Sequence, residues 1–123
     1  MRLDLESTKP IFQQISDEIE DAVFTGAFPE ETQVPSTTEI SAMFKINPAT
    51  VLKGMNQLVE AGILYKKRGL GMFVAKGAAE NIRQKRRKEF LQSFVRPMIE
   101  EAEKLALSES EIIELVKRGY HDE

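Results

Sequence analysis

The phrase Asn47-Pro48-Ala49-Thr50-Val51 restricts the fold of this chain more than any other stretch. Asn47 can accept a hydrogen bond from an open backbone N–H, and Pro48 loses nothing at a first helical position, where its missing N–H would have no partner. A helix therefore starts here. Upstream, Ser36-Thr37-Thr38-Glu39 has the form of a capping box, in which the serine hydroxyl reaches forward to the Glu39 amide and the Glu39 side chain reaches back. The shorter helix it opens carries Ile40, Met43 and Phe44 at i, i+3 and i+4. Only Lys45, Ile46 and Asn47 separate the two helices, as in a helix-turn-helix. Farther on, Ile63-Leu64-Tyr65-Lys66-Lys67 and Met72-Phe73-Val74-Ala75 read as strands around the turn Arg68-Gly69-Leu70-Gly71. Helix, turn, helix, hairpin is the order of a winged helix. The predicted fold is mainly α with a small β-hairpin: a winged helix-turn-helix over residues 1–76, then a two-helix tail over residues 77–123.

The helices around this centre are legible from their punctuation. Residues 1–9 read as a loosely held polar arm. Pro10 then opens a first helix, with Ser7 or Thr8 as its candidate cap, and Ile11, Ile15, Ile19 and Val23 form an apolar stripe that ends at Gly26. Glu30 follows Pro29 in the next connection, which predicts a turn without positive φ. Gln33-Val34 has the makings of a short strand beside the hairpin. The third helix, Pro48 to about Ala61, turns Val51, Met55, Leu58 and Val59 inward, and Gly62 closes it. Gly54 inside that helix costs roughly 1 kcal/mol against alanine and is best explained by a neighbouring helix packed close against it.

Charge is distributed unevenly. The net value of −3 hides a middle segment, residues 45–88, with eleven basic and two acidic side chains, between acidic flanks. Such a block attracts a polyanion even when the whole molecule is acidic. The residue types on it suit duplex DNA. Small side chains at Ala49 and Thr50 allow close approach to base edges, where a methyl group can pack on thymine. Helix starts at Ser36, Thr37, Thr38 and Asn47 can offer N–H groups to phosphate oxygens. Lys53, Lys66, Lys67 and Arg68 neutralise charge, and Gly69 and Gly71 let the hairpin tip lie close to a sugar-phosphate backbone. The competing reading is a winged helix that binds protein and not DNA; it gives no reason for positive charge to gather on the third helix and wing.

Other functions are disfavoured. The lone histidine, His121, lies near the end of the chain, and no paired carboxylates or phosphate-binding loop form a recognisable catalytic pattern, so neither an enzyme nor a cofactor or metal site is expected. There is no cysteine, and no apolar run approaches the roughly 18 to 20 residues of a membrane span, so a soluble cytoplasmic protein is expected.

The tail points to self-association. From about Ala79 to Ala106 a long helix carries Leu91, Val95, Met98, Ala102 and Leu105 at steps of four and three, a seam widened by Phe94 and Ile99. A protruding seam of this kind needs a partner, which predicts a homodimer. Pro97 removes a backbone hydrogen bond and crowds the Ser93 carbonyl, so a kink is expected near residues 93–97. Ser108-Glu109-Ser110-Glu111 is a further capping box, opening a last helix that stops near Gly119.

Several spaced motifs carry a family resemblance. Lys9-Pro10-Ile11-Phe12-Gln13-Gln14-Ile15, Val34-Pro35-Ser36 with Glu39-Ile40, Asn47 to Val51, Glu60-Ala61-Gly62-Ile63-Leu64 and Arg68-Gly69-Leu70-Gly71-Met72-Phe73-Val74 resemble the winged helix of GntR-family bacterial transcription regulators. The short remainder resembles the YtrA-type subfamily, which has a brief two-helix dimerisation tail in place of a ligand-binding domain. That resemblance implies dimeric repression through an inverted-repeat operator, often of neighbouring transporter genes, with any small-molecule effector unspecified. Two departures bear on base reading: relatives often have arginine where this chain has Thr38 and, in some cases, Leu52. A bidentate guanine contact at either place, each worth roughly 1 to 3 kcal/mol of discrimination, is therefore not expected.

Overall fold

A computed structural model describes residues 1–122. The chain forms two compact units, Met1–Lys85 and Arg86–Glu123. The first contains α1 (Ile11–Thr25), α2 (Thr37–Phe44), α3 (Pro48–Glu60), strands β1 (Leu64–Lys67) and β2 (Gly71–Val74), and the beginning of α4 (Ala78–Phe90). This is the winged helix-turn-helix read from the sequence. It closes some residues later than expected, because Ala78 and Ile82 of α4 are buried in its core beside Ile15, Ile19, Ile40, Val51, Met55 and Leu64. Burying each large aliphatic side chain contributes roughly 1.5 to 3 kcal/mol, so the first turns of α4 belong energetically to the winged helix.

The helix ends follow the local chemistry. Ser36 Oγ accepts from the Glu39 amide at 3.0 Å while the Ser36 amide donates to Glu39 Oε1 at 3.1 Å, completing the capping box of α2. Asn47 Oδ1 accepts from the Ala49 amide at 2.8 Å at the head of α3. Between them Lys45 takes a left-handed conformation at φ 54°, which produces the tight helix-helix turn. Gly54 is where α3 meets α1: a Cβ there would stand 2.5 Å from the Phe12 carbonyl oxygen. The glycine therefore permits a backbone approach that no side chain allows.

Strands β1 and β2 pair antiparallel with Leu64 opposite Val74 and Lys66 opposite Met72. Gln33 adds an isolated bridge to Phe73, and the Val34 amide donates to the Met72 carbonyl at 3.0 Å, as the short strand beside the hairpin predicts. The connection before it departs from expectation. Glu30 avoids positive φ, but Glu31 takes it at 67°, so the turn still needs a left-handed residue and places it one position later. Glu31 is held there by its amide, which donates to the Val74 carbonyl at 2.8 Å. Glu30 meanwhile accepts from the Gly77 amide.

The N-terminal arm is pinned, contrary to the loose segment expected. Gln14 is buried on α1, accepts from the Asp4 amide at 2.7 Å, and donates to the Asp4 and Lys9 carbonyls. Ser7 does not cap α1; its hydroxyl accepts from the Lys9 amide, and Pro10 stands at the cap position without a side-chain bond.

The second unit comprises the end of α4, a π-helical segment Leu91–Val95, α5 (Arg96–Lys104) and α6 (Glu109–Tyr120). The irregularity falls where Pro97 predicts a kink and takes the form of a widened turn, with the Arg96 amide donating to the Leu91 carbonyl five residues back. Widening the turn relieves the proline's clash with the preceding carbonyls. Ala106 takes φ 57°, and the Leu107 and Ala106 amides close back on the Ala102 and Glu103 carbonyls, ending α5 in a Schellman turn. The second capping box, Ser108 with Glu111, then opens α6. Among the described residues no helix is long and apolar enough to cross a membrane.

The residues expected to form the dimer seam do not share one environment. Leu91, Phe94 and Leu105 are exposed and Met98 is 40% exposed, whereas Val95 is half-buried and Ala102 is buried. Val95, Met98 and Ala102 line an apolar groove of about 540 Å³ shared with Ile112, Ile113 and Val116 of α6. Phe90 and Phe94 pack with tilted rings 5.3 Å apart between centroids, both largely exposed.

Candidate nucleic-acid interface

Two surfaces of the first unit gather the candidate residues. One is a groove of about 450 Å³ where the start of α2 faces the wing, lined by Ser36, Thr37 and Thr38 on one side and by Lys66, Arg68 and Gly69 on the other. Lys67 also borders it. The other is the outward face of α3, a shallow depression of about 520 Å³ bordered by Ala49, Leu52, Lys53, Asn56, Gln57 and Glu60.

The start of α2 is the better anion site. The first N–H groups of any helix lack partners within it, and here the Glu39 amide is taken by Ser36 Oγ and the Ile40 amide by the Ser36 carbonyl. The Thr37 and Thr38 amides therefore project from the helix end, where the helix dipole favours an anion. Ser36 keeps its hydroxyl proton to donate. Thr38 is exposed, but the Thr37 side chain turns inward, its hydroxyl 3.6 Å from Met55 Sδ. What Thr37 offers a phosphate is its amide.

The start of α3 is differently arranged from the sequence expectation. Pro48 has no N–H, the Ala49 amide is held by Asn47 Oδ1, and the Thr50 and Val51 amides donate to the Asn47 carbonyl. Asn47 is exposed, yet its side-chain oxygen is spent on the cap, leaving its Nδ2 group as donor. Ala49 is exposed on the outward face, whereas Thr50 is half-buried and does not border the depression. The Lys53 ammonium lies 4.0 Å over the Phe12 ring, a cation–π contact that draws it toward α1.

The wing divides its charges by strand alternation. Lys66 lies across from Met72, on the same side of the hairpin as buried Leu64 and Val74, and so faces the α2 groove. Lys67 points the other way, its ammonium 4.4 Å from the Phe73 ring centroid, while Tyr65 and Phe73 stack at 5.9 Å. Arg68 and Gly69 form the exposed tip, Gly69 at φ 79°. The tip is braced from behind by Gln33, whose Nε2 donates to the Leu70 carbonyl at 2.5 Å. A Cβ on Gly71 would stand 2.7 Å from that Nε2, so Gly71 makes the brace possible.

Lys66 and Gln33 were under-weighted by sequence reasoning. Counting in twos from buried Leu64 identifies Lys66 as the inward-facing lysine, but Gln33 gives no local signal because its partner lies in the wing. Asn56 and Gln57 were missed as well; they continue the outward row from Ala49 and Lys53 at helical spacing.

Comparison with known proteins agrees with this geometry. The family model described as bacterial regulatory proteins, gntR family, matches residues 11–74, the span from α1 to the end of β2. The chain is 31% identical over 114 residues to the uncharacterized HTH-type transcriptional regulator YhcF of Bacillus subtilis, covering 91% of each protein. The structure of YtrA from Sulfolobus acidocaldarius, a GntR-family transcription factor, matches at TM-score 0.57 and 27% identity, covering 99% of this chain and 97% of that one. The DNA-binding domain of AraR in complex with operator ORE1 matches at TM-score 0.54 and 30% identity, covering 60% of this chain and 90% of that one. With more than half its length matched by the family model and an almost full-length relative above 30% identity, the chain belongs to the GntR family of regulatory proteins.

Proposed function

We propose that this protein is a DNA-binding transcription repressor that acts in the cytoplasm as a homodimer on an inverted-repeat operator. The observation that carries the reading is the groove in which the open Thr37 and Thr38 amides face Lys66 and Arg68, next to the exposed face of α3. A phosphate held between helix end and wing fixes the domain on the backbone, and α3 is then the element available to the major groove. The AraR DNA-binding domain, which resembles this unit, forms a complex with its operator, which supports the assignment by likeness.

The second unit supports the dimeric reading. Phe90, Leu91, Phe94, Met98 and Ile99 together expose apolar surface that runs into the α5–α6 groove, which Met98 and Ile99 line, and water is a poor partner for it. A twofold axis through such tails would present two winged helices to two half-sites. The YtrA likeness makes neighbouring transporter genes the first regulatory targets to examine.

Selection of bound fragments from random and genomic duplexes tests the reading. The expected product is a two-part sequence with dyad symmetry, enriched at low and lost at high ionic strength. Absence of any enriched duplex would contradict it.

A further inference from the structure

We infer that Leu52 is the base-reading residue of α3 and that it selects thymine through the C5-methyl group. The inference rests on the DNA-binding reading above and adds which base edge the helix recognises.

The outward row of α3 holds Ala49, Leu52, Lys53 and Asn56 at i, i+3, i+4 and i+7. Leu52 is 39% exposed, a large aliphatic side chain in the middle of a face that is otherwise small or polar. Lys53, the one cation of that row, borders the face with its ammonium resting over the Phe12 ring. The first two turns of the outward face therefore present a methyl group and an isobutyl group to whatever lies against them.

Major-groove edges differ in what such a surface can meet. Guanine shows two acceptors, cytosine an amino donor, and adenine an acceptor and a donor, while thymine alone shows a methyl group beside its O4 acceptor. Covering a guanine, cytosine or adenine edge with leucine removes water from polar groups and returns no hydrogen bond, which is costly. Covering a thymine methyl buries apolar area on both sides. Leu52 thus favours thymine, the one base whose major-groove edge returns apolar contact for the polar surface that is covered. Polar Asn56 and Gln57, both half-buried, lie one turn farther along the same face.

The test uses the full-length chain and the duplex it selects. Deoxyuridine is exchanged for thymidine at each selected position in turn, which removes only the C5-methyl group. One position per half-site is expected to weaken binding by about fourfold, the effect of one lost methyl contact. Leu52→Ala should abolish that difference between thymidine and deoxyuridine duplexes, while Lys66→Ala should weaken both duplexes equally and keep the difference. Equal binding of thymidine and deoxyuridine duplexes at every position overturns the inference while leaving DNA binding intact, and so does a Leu52→Ala protein that retains the full discrimination. Failure to bind any duplex contradicts the broader reading and this inference with it.

Discussion

Two residues set the precision of this fold by what they lack or tolerate. Gly54 sits where a Cβ would meet the Phe12 carbonyl oxygen, a backbone atom that cannot rotate away. Gly54→Ala gains up to about 1 kcal/mol of helix propensity but must separate α1 from α3, so a net loss of about 2 kcal/mol is expected by denaturant unfolding. A gain in stability would show that the two helices are not so closely held. Ala106 presents the opposite case, an alanine in the left-handed position that closes α5. Ala106→Gly should stabilise the second unit by roughly 0.5 to 1 kcal/mol, since the αL strain of a Cβ exceeds the extra backbone entropy of glycine there. Thermal unfolding of the full chain checks it, and a lowered midpoint would argue against strain at Ala106.

At the level of elements, the wing and α2 line one groove, the proposed phosphate clamp. Replacing Lys66 and Arg68 together by alanine should lower the slope of log affinity against log salt by about 1 to 2 units, because each lost phosphate contact releases roughly one counterion fewer. A slope equal to that of the unaltered protein would mean that these charges do not touch DNA. The elements themselves were legible because their signals are local. Ser36-Thr37-Thr38-Glu39, Asn47-Pro48-Ala49 and Ser108-Glu109-Ser110-Glu111 each contain both donor and acceptor of their own cap. What escaped was set by residues distant in sequence. The inward turn of Thr37 depends on Met55, the brace of the wing on Gln33, the ordered arm on Gln14, and the diversion of Lys53 on Phe12. The left-handed Glu31 was likewise imposed by the Val74 carbonyl, across the sheet.

For the whole molecule, an overall charge of −3 coexists with a basic middle segment, so affinity for DNA depends on where the charge stands and not on its total. The acidic tail carries the exposed apolar side chains on which the proposed self-association rests. Leu91→Asp with Phe94→Asp alters two exposed side chains outside the α5–α6 groove, and should yield a monomer by sedimentation whose operator affinity falls at least about tenfold, as loss of the second half-site requires. An unchanged sedimenting mass would remove these residues from the dimer contact. The most direct test of the account is equilibrium binding of the intact protein to its selected duplex between about 50 and 200 mM salt. Tight binding at the low end that falls steeply with added salt is the expected result; no binding there, or an affinity indifferent to salt, would contradict the claim that the α2–wing clamp holds a duplex.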